Sequence, residues 1–492
     1  MGVAPATAGD AATRPAGAAR SAKARVSGVS LYAAREPIYQ REANGPWQRL
    51  RTVVLFALAG FYVALPWLQW NGRQAVWFDV PARSFYLFGL TFWPQDFIYL
   101  SWLLILAAFG LFFFTNLAGR LWCGYACPQT VWTRFFMWIE WLTEGDRNRR
   151  ILLDRGPWNR RKILRKTAKH TAWLAFSAMV GVTFVGYFLP VRDLVVRIVG
   201  QSVSGGEWVF LAVASLALYV DAGFMREQIC KYACPYARFQ GAMFDRATLT
   251  IFYDAGRGEP RGHRRRDLSP AAAGLGDCID CRLCVHVCPT GIDIRQGTQF
   301  ECIGCAACID ACDSVMHDVG LPKGLVRYTT ESALAGKPLP LLRPRVVGYG
   351  AVLLVVACAL AVGLARRMPL DVDVLRDRTT LYREVGAGLI ENVYTLKVMN
   401  KSQQARTYRV STQPPFAVAS ATDITVAAGK LGELPVRVRI EEARLDRAST
   451  SLTFAVQAGD DPLVRVQHES RFLAPAAVAN RSDADDRANH GH

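Results

Sequence analysis

The sequence predicts a multi-domain membrane protein that combines an α-helical transmembrane bundle of five spans, a cysteine-rich α+β insert and a C-terminal all-β immunoglobulin-like sandwich. Three observations carry this prediction. Five apolar stretches are long enough to cross a bilayer, eight cysteines lie within 278–312, and apolar residues alternate with polar ones beyond residue 370. A chain of 492 residues, about half of them apolar, is long enough for all three parts.

The predicted parts follow one another along the chain. The first 30 residues are rich in Ala, Gly and Arg without an apolar core run, which predicts a disordered cytoplasmic tail and no cleavable signal peptide. The polar C-terminal end is predicted to be disordered for the same reason. The predicted boundaries are 1–50 for the N-terminal tail, 51–250 for a four-span membrane domain, 251–345 for the cysteine-rich domain, 346–365 for the fifth span, 371–475 for the sandwich and 476–492 for the second tail.

Basic residues predict the orientation of the spans, which are placed at 52–70, 97–118, 171–190, 207–224 and 346–365. Eight Lys/Arg precede the first span, eleven lie in 116–168 and sixteen in 225–345, whereas 71–95 and 191–206 carry two each. Because cytoplasmic loops retain basic residues, the N-terminus and the cysteine-rich domain should face the cytoplasm of a bacterium and the sandwich its periplasm. The protein is thus expected in the inner membrane. Arg366 and Arg367, after the last span, go against the rule.

The net charge of +17 at first suggests a nucleic-acid partner. Residues 371–492, however, hold 16 Lys/Arg against 16 Asp/Glu, so the whole excess lies upstream among the apolar stretches. Membrane topology produces this distribution, and nucleic-acid binding is therefore not predicted.

The eight clustered cysteines form two consecutive runs, CIDCRLCVHVCP and CIGCAACIDACD, which is the ligand pattern of a bacterial two-cluster ferredoxin. Each [4Fe-4S] cluster needs four thiolates, and the fourth cysteine of each run crosses to the other cluster. The predicted ligands are Cys278, Cys281, Cys284 and Cys312 for one cluster and Cys302, Cys305, Cys308 and Cys288 for the other. A pair of zinc sites is the alternative, but zinc seldom uses three cysteines at this spacing with a distant fourth.

Beyond residue 370 the apolar residues have a period of two, as in 394–398, 436–440 and 452–456. Polar turns separate these runs, and roughly seven short strands in this length indicate an immunoglobulin-like sandwich. The segment contains no cysteine and no catalytic constellation, so a docking or stabilising role is predicted.

Four further cysteines form two near-identical motifs, Cys123-Gly-Tyr-Ala-Cys127-Pro and Cys230-Lys-Tyr-Ala-Cys234-Pro. Each follows the predicted cytoplasmic end of an even-numbered span, so the repeated unit is two helices plus CxYACP. Parallel repeats related by an axis along the membrane normal would bring the motifs face to face. The spacing of four is expected to place both cysteines of a motif on one helical face, with the proline kinking or restarting the helix.

Four soft thiols that meet at one place suit Cu(I), which makes these four cysteines the candidate copper ligands and catalytic residues. A redox-active dithiol is the alternative, since the nearby Arg120, Lys231 and Arg238 are expected to lower the pKa of the thiols. A third interpretation is that the cysteines serve only as small packing residues.

The two CxYACP motifs, the tandem cysteine runs, one further span and the terminal ENVYTLKVMNKS stretch together resemble the cytochrome c oxidase accessory family CcoG, also called FixG or RdxA. The resemblance covers about residues 30 to 475. It implies a role in assembling cbb3-type cytochrome oxidase by reducing Cu(II) to Cu(I) for delivery to the oxidase, with oxidase subunits or assembly factors as partners. It also implies two [4Fe-4S] clusters on the eight cysteines named above and copper as a transient substrate.

Two other functions remain open at this point. A quinol-linked conduit to a periplasmic reductase would exchange electrons with quinone and be indifferent to copper. A non-enzymatic assembly scaffold would work without its clusters. The cytoplasmic electron donor is not identified, because no GxGxxG fingerprint lies between a strand and a helix. Cluster potentials, the copper donor and acceptor, and the oligomeric state are likewise left open.

Overall fold

Long helices, a small cysteine-rich domain and a β-sandwich make up the computed structural model, which describes residues 37–265, 269–337, 343–386, 388–445 and 447–475. Most of the predicted N-terminal tail and all of the predicted C-terminal tail lie outside these residues. The helices are α1 (Pro46–Ala64), α2 (Phe97–Ala118), α3 (Leu121–Tyr125), α4 (Pro128–Glu144), α5 (Arg147–Arg155), α6 (Arg160–Val185), α7 (Val191–Val199), α8 (Gly205–Val220), α9 (Pro235–Met243), α10 (Ala255–Gly258), α11 (Leu283–His286), α12 (Ala307–Asp318), α13 (Glu331–Leu334) and α14 (Pro344–Ala365).

Short strands connect the membrane helices and build the two other domains. The strands are β1 (Gln69–Trp70), β2 (Arg73–Gln74), β3 (Val76–Asp79), β4 (Ser84–Leu87), β5 (Leu90–Phe92), β6 (Thr250–Tyr253), β7 (Val326–Thr329), β8 (Leu370–Arg376), β9 (Arg383–Glu384), β10 (Leu389–Asn400), β11 (Arg406–Thr412), β12 (Ala417–Val418), β13 (Asp423–Val426), β14 (Leu431–Glu441), β15 (Ser449–Ala458) and β16 (Arg465–Leu473).

Four helical segments of the described residues are long and apolar enough to cross a membrane. They are Pro46–Trp67, Pro94–Ala118, Gly205–Met225 and Pro344–Ala365. The predicted span 171–190 is not among them. Its helical part, from Thr171 to the end of α6 at Val185, rises only about 22 Å, less than the hydrocarbon core of a typical bilayer. The other half of α6 is basic, and the chain turns into α7 after Gly186.

The pairing of α2 with α14 fixes where the two extramembrane domains lie. Tyr99, near the start of α2, donates a hydrogen bond to the carbonyl of Gly363, near the end of α14 (3.2 Å). Gly350 lies against Phe113 at the other end of the pair. The two helices are therefore antiparallel. The cysteine-rich domain, which precedes α14, and the sandwich, which follows it, lie at opposite ends of this helix.

The cysteine-rich domain is closed by an antiparallel pair, β6 with β7, in which Ile251 lies opposite Tyr328. The segment before α1 packs onto this domain. The backbone N–H of Arg41 donates to the carbonyl of His286 (2.8 Å), and that of Gln48 donates to the Asp310 carboxylate (2.6 Å). The predicted tail boundary at residue 50 was therefore wrong, because 39–50 are ordered by contacts far away in the sequence.

The C-terminal domain is a two-layered sandwich. One sheet has the order β12-β14-β10-β8 with β9 beside β10, and the other has the order β13-β11-β15-β16. The alternation seen in the sequence faces the core: Tyr394, Leu396 and Val398 of β10 are buried, as are their counterparts on β14 and β15. Tyr394 meets Phe454 edge-on across the layers, with 5.0 Å between ring centres. The immunoglobulin-like prediction is confirmed.

An ion-pair cluster ties this sandwich to the end of the membrane helices that lies away from the cysteine-rich domain. The buried carboxylate of Asp96 contacts Arg367 (2.5 Å) and Lys401 (2.9 Å). The guanidinium of Arg367 also stacks over the ring of Phe92. Arg367 thus has a local carboxylate partner, which accounts for one of the two basic residues that go against the positive-inside pattern.

A second buried charge network joins the helices after the first thiol motif to the segment just before the second. Glu140 of α4 pairs with Arg150 of α5 and with Arg226, which follows α8, both at 2.5 Å. Burial alone would raise the pKa of Glu140, but the guanidinium groups of Arg226 and Arg150 outweigh burial and hold the pKa below its usual value. This network holds the two halves of the repeat together on the side of the cysteine-rich domain.

Replacing Glu140 by Gln should lower the free energy of unfolding by about 3 to 5 kcal/mol, because the buried Arg150 and the half-buried Arg226 both lose the carboxylate that they contact at 2.5 Å. Thermal unfolding of the purified protein in detergent measures this. Glu331→Gln, at an exposed ion pair of 3.7 Å, is the control and should change stability by less than about 1 kcal/mol. Since the folded pKa is depressed, the contribution of Glu140 is present above the unfolded pKa and is lost as pH falls through the folded value.

Candidate functional site

The eight clustered cysteines line two neighbouring cavities. Cavity A is lined by Cys278, Cys281, Cys284 and Cys312. Cavity B is lined by Cys288, Cys302, Cys305 and Cys308, and Cys284 lines it as well. Three thiols of the first run and Cys312 of the second thus line cavity A, while three thiols of the second run meet Cys288 and the shared Cys284 in cavity B. The remaining lining is mainly aliphatic, with Ile side chains in both cavities and Leu side chains in cavity A.

The backbone around the two cavities repeats the same turn. Asp280 and Arg282 flank Cys281 with φ of 54° and 55°, and Gly304 and Ala306 flank Cys305 with φ of 66° and 60°. Alternation of left-handed and right-handed residues points successive N–H groups into a concavity, which is typical of iron–sulfur sites. Four soft thiols, an apolar lining and such turns fit a [4Fe-4S] cluster in each cavity.

The two cavities differ in their access to solvent. Cys281 of cavity A is exposed, whereas Cys305 of cavity B is buried. Arg295 also lines cavity A, where its guanidinium contacts the carboxylates of Asp293 (2.7 Å) and Asp280. Cavity A is thus the one that a soluble electron donor can approach.

The two CxYACP motifs are not single helices. Cys123 lies in the short helix α3, whereas Cys127 is the N-cap residue of α4, which begins at Pro128. Cys230 lies in a π-helical turn, Ile229–Ala233, and Cys234 is the N-cap residue of α9. The expectation that each pair shares one helical face was therefore wrong. Proline at the first helical position restarts the helix, and this separates the two thiols of a motif onto different elements.

The two motifs do meet, and we call their four cysteines the thiol site. Their thiols are close enough for the negative charge of one thiolate to disfavour ionisation of another. Besides burial, the charges of Cys127, Cys230 and Cys234 each raise the pKa of Cys123. The thiol of Cys123 also donates to the side-chain carbonyl of the buried Gln240 (3.3 Å), which belongs to the second half of the repeat. Within the described ranges, no three Cys, His, Asp or Glu side chains are arranged to hold a single metal ion as they stand.

Burial controls the protonation of the thiol site. It raises the pKa of Cys123 to about 12 and that of Cys230 to about 11, and it raises the pKa of Cys127 as well. Arg120 acts in the opposite direction on Cys123 and Cys230 but does not offset burial. The expectation that basic neighbours lower these pKa values was therefore wrong, because desolvation of the thiolates is the larger effect.

The first motif packs directly on cavity B. Cys123 belongs to the same apolar cluster as Cys305 and Cys308. At Gly124 a Cβ atom would lie 2.9 Å from the carbonyl oxygens of both Ile303 and Gly304, in the loop that carries Cys302 and Cys305. The second motif has Lys231 at the position of Gly124. The thiol site and cavity B are thus neighbours through the first motif.

Two buried arginines at this junction were not predicted as site residues. Arg51 and Arg120 are each 3% exposed. Arg51 donates to the carbonyl of Gly124 (3.0 Å), and Arg120 donates to the carbonyl of Ala237. The charge of Arg120 acts on Cys302 as well as on Cys123. In the sequence, each of these arginines is only a basic residue beside an apolar stretch. That pattern is the same for a cation buried in the protein and for one at the membrane interface, so it does not identify a site residue.

Three family models match the chain. A "4Fe-4S dicluster domain" model matches residues 225–331, and a "4Fe-4S binding domain" model matches residues 100–148. A model described as "IG-like fold at C-terminal of FixG" matches residues 360–475. The match at 100–148 contains Cys123 and Cys127 and none of the cysteines of the two cavities.

Curated relatives cover most of the chain. Protein RdxA of Cereibacter sphaeroides is 40% identical over 422 residues, which is 82% of this chain and 89% of the relative. The nitrogen fixation protein FixG of Rhizobium meliloti is 38% identical over 421 residues, covering 78% and 80% of the two chains. A crystal structure of a FixG-related protein from Vibrio parahaemolyticus is 32% identical, with a TM-score of 0.20, and covers 21% of this chain and 95% of that one.

Proposed function

The chain belongs to the FixG and RdxA family of iron–sulfur membrane proteins, and we propose that it reduces Cu(II) to Cu(I) for the assembly of cbb3-type cytochrome c oxidase. The observation that carries this proposal is the contact between the thiol site and cavity B. Electron transfer on iron–sulfur clusters is the activity that the family match supports. Copper as the acceptor follows from the chemistry of the four thiols.

Each cavity would hold one [4Fe-4S] cluster. Cys278, Cys281, Cys284 and Cys312 would hold the first, and Cys302, Cys305, Cys308 and Cys288 the second. When bound, such clusters supply one-electron transfer. The residues of the chain exclude water from cavity B by aliphatic packing and leave Cys281 of cavity A in reach of a cytoplasmic donor.

Copper is the substrate of the thiol site. Each Cu(II) ion gains one electron from the protein and leaves as Cu(I), and the electron is replaced by the donor. Thiolate sulfur is a soft ligand and favours Cu(I), so coordination by Cys123, Cys127, Cys230 and Cys234 promotes the reduction.

The topology that accompanies this function has five crossings, with α6 as the third span beside the four long apolar segments. The N-terminus and the cysteine-rich domain would lie in the cytoplasm and the sandwich in the periplasm of a bacterial inner membrane. A short, partly basic α6 can span by packing against α8 and by local thinning of the bilayer. The sandwich is then placed to contact oxidase subunits or assembly factors.

The test is an anaerobic reaction of the reduced protein with Cu(II) and a Cu(I)-specific chelator, in which cluster absorbance and chelated Cu(I) are followed together. We expect cluster reoxidation to match Cu(I) formation. Replacing Cys127 and Cys234 by Ser should abolish Cu(I) formation and leave the iron content unchanged. The control is Cys358→Ser, at an exposed cysteine in α14 outside both sites, which should behave like the unmodified protein.

Two results would lead to other functions. If copper leaves the clusters reduced but a quinone reoxidises them, the protein is a quinol-linked conduit. If variants without the cavity cysteines still support oxidase assembly in cells, the protein acts as a scaffold. Loss of all cluster iron, that of the two cavities included, in the Cys127 and Cys234 double variant would show that the thiol site has a structural role.

A second candidate for the thiol site is a third [4Fe-4S] cluster. The family model for 4Fe-4S binding at 100–148 favours it, because Cys123 and Cys127 are the cysteines in that range. Two cysteines from each motif would complete a set of four thiolates. Iron analysis separates the two candidates: a third cluster adds about four iron ions per chain, and these are lost in the Cys127 and Cys234 double variant.

A further inference from the structure

A polar cavity of about 300 Å³ lies between α5 and the start of α6, and none of the cysteines lines it. Four basic side chains line it, those of Arg149, Arg161, Lys162 and Arg165, and none of its lining residues is acidic. Positive charge concentrated in a concave surface attracts anions. This cavity has no part in the reduction of copper described above.

The basic side chains of the cavity are not neutralised by neighbouring carboxylates. The ammonium of Lys162 donates to the backbone carbonyls of Asp154 (2.9 Å) and Gly156 (2.8 Å), and Arg165 donates to the carbonyl of Glu144 (3.0 Å). The nearby carboxylates of Glu144 and Asp154 pair with Lys166 instead. Within the described ranges, Arg149 and Arg161 form no ion pair, so the cavity keeps its positive charge.

Large apolar side chains are exposed next to the basic side chains of the cavity. Trp158 is 73% exposed, and Leu152 and Leu164 are each 71% exposed. Leu152 also lines the cavity. Exposed Trp and Leu next to Arg and Lys are typical of segments that lie in the membrane interface, with the apolar groups entering the boundary of the acyl chains. The apolar half of α6, from Thr171 onward, continues from this segment into the bundle.

We propose that this cavity binds the phosphate group of an anionic phospholipid, with Trp158, Leu152 and Leu164 contacting its acyl region. Arg149 and Arg161 supply the free guanidinium groups, and Lys162 and Arg165 are held in place by backbone carbonyls. The lipid anchors the segment between the first thiol motif and α6 to the membrane surface. Inorganic phosphate carries the same charged group without acyl chains.

Native mass spectrometry of the full-length protein in detergent, titrated with phosphatidylglycerol or phosphatidylcholine, tests this proposal. The unmodified protein should retain phosphatidylglycerol preferentially. Replacing both Arg149 and Arg161 by Gln should reduce this retention by about tenfold or more. The matched control replaces Arg155 and Arg160 by Gln: these residues are exposed, lie in the same segment and change the net charge equally, but they do not line the cavity.

The outcomes are distinct. Loss of phosphatidylglycerol in the Arg149 and Arg161 variant alone supports the cavity as the binding site. Equal loss in the control variant would overturn it, since general charge would then account for retention. Displacement of the lipid by an equal concentration of inorganic phosphate would identify a site for free phosphate and overturn the lipid. Weaker phosphatidylglycerol binding in Leu152→Ser, with phosphate binding unchanged, supports contact with the acyl region.

Discussion

Serine at Cys302 should abolish Cu(I) formation, whereas serine at Cys281 should keep most of its rate when the protein is first reduced with a small strong reductant such as dithionite, which is removed before Cu(II) is added. The reason is the unequal position of the two cavities. Cavity B, with Cys302, borders the thiol site through the loop that contacts Gly124. Cavity A, with Cys281, opens toward solvent. A small reductant that diffuses freely does not need the entry point that a protein donor uses.

The same two variants should behave alike when a protein donor is used. Both should then lose Cu(I) formation, because the exposed cavity A is the surface that a bulky donor can reach. Iron content and cluster absorbance must be measured in parallel, and each variant should lose about half of the iron. Equal loss of Cu(I) formation with dithionite in both variants would contradict the order of the two cavities. Full retention in Cys302→Ser would contradict the role of cavity B.

The parts of this molecule that follow from local patterns were predictable from the sequence. The alternation at Tyr394, Leu396 and Val398 placed these side chains in the core of the sandwich, as the structure shows. Four of the five apolar stretches match segments that can cross a membrane. The assignment of cluster ligands within each cysteine run rests on spacing alone and stays a prediction; in the structure the eight thiols line two cavities, and Cys284 lines both of them.

The remaining features depend on contacts between distant parts of the chain. Residues 39–50 looked like a tail because they are polar, but partners such as His286 and Asp310 lie more than 200 residues away. Basic neighbours of the thiols were visible in the sequence, but the extent of burial, which decides the pKa of Cys123, was not. In the stretch 171–190, hydropathy did not show that the helix ends at Val185.

The difference between the two thiol motifs illustrates the same limit. Glycine in one motif and lysine in the other can be read directly at positions 124 and 231. The cause is visible only in the fold. The backbone of Ile303 and Gly304 lies against Gly124 and leaves no room for a side chain, while Lys231 lies in a π-helical turn in the other half of the repeat. The duplicated motifs have thus diverged where one of them contacts cavity B.

Replacing Gly124 by Ala should therefore reduce Cu(I) formation by more than about tenfold and lower stability by about 1 to 3 kcal/mol. The added Cβ would lie 2.9 Å from two backbone carbonyl oxygens, and backbone cannot give way as the end of a flexible side chain can. The loop that carries Cys302 and Cys305 must then move away from the thiol site. Chelated Cu(I), iron content and thermal unfolding in detergent measure the three consequences.

The control for Gly124 is Gly241 in α9, just after the second motif, where an added Cβ would meet no atom within 4 Å. Gly241→Ala should keep full Cu(I) formation and gain up to about 1 kcal/mol of stability, since alanine favours the helix. If Gly124→Ala loses stability but keeps its rate of Cu(I) formation, the close contact serves packing alone. If it retains its iron yet forms Cu(I) slowly, the separation between cavity B and the thiol site limits the reaction. Iron retention distinguishes this from unfolding, because a cavity that has lost its fold cannot hold a cluster on four thiolates.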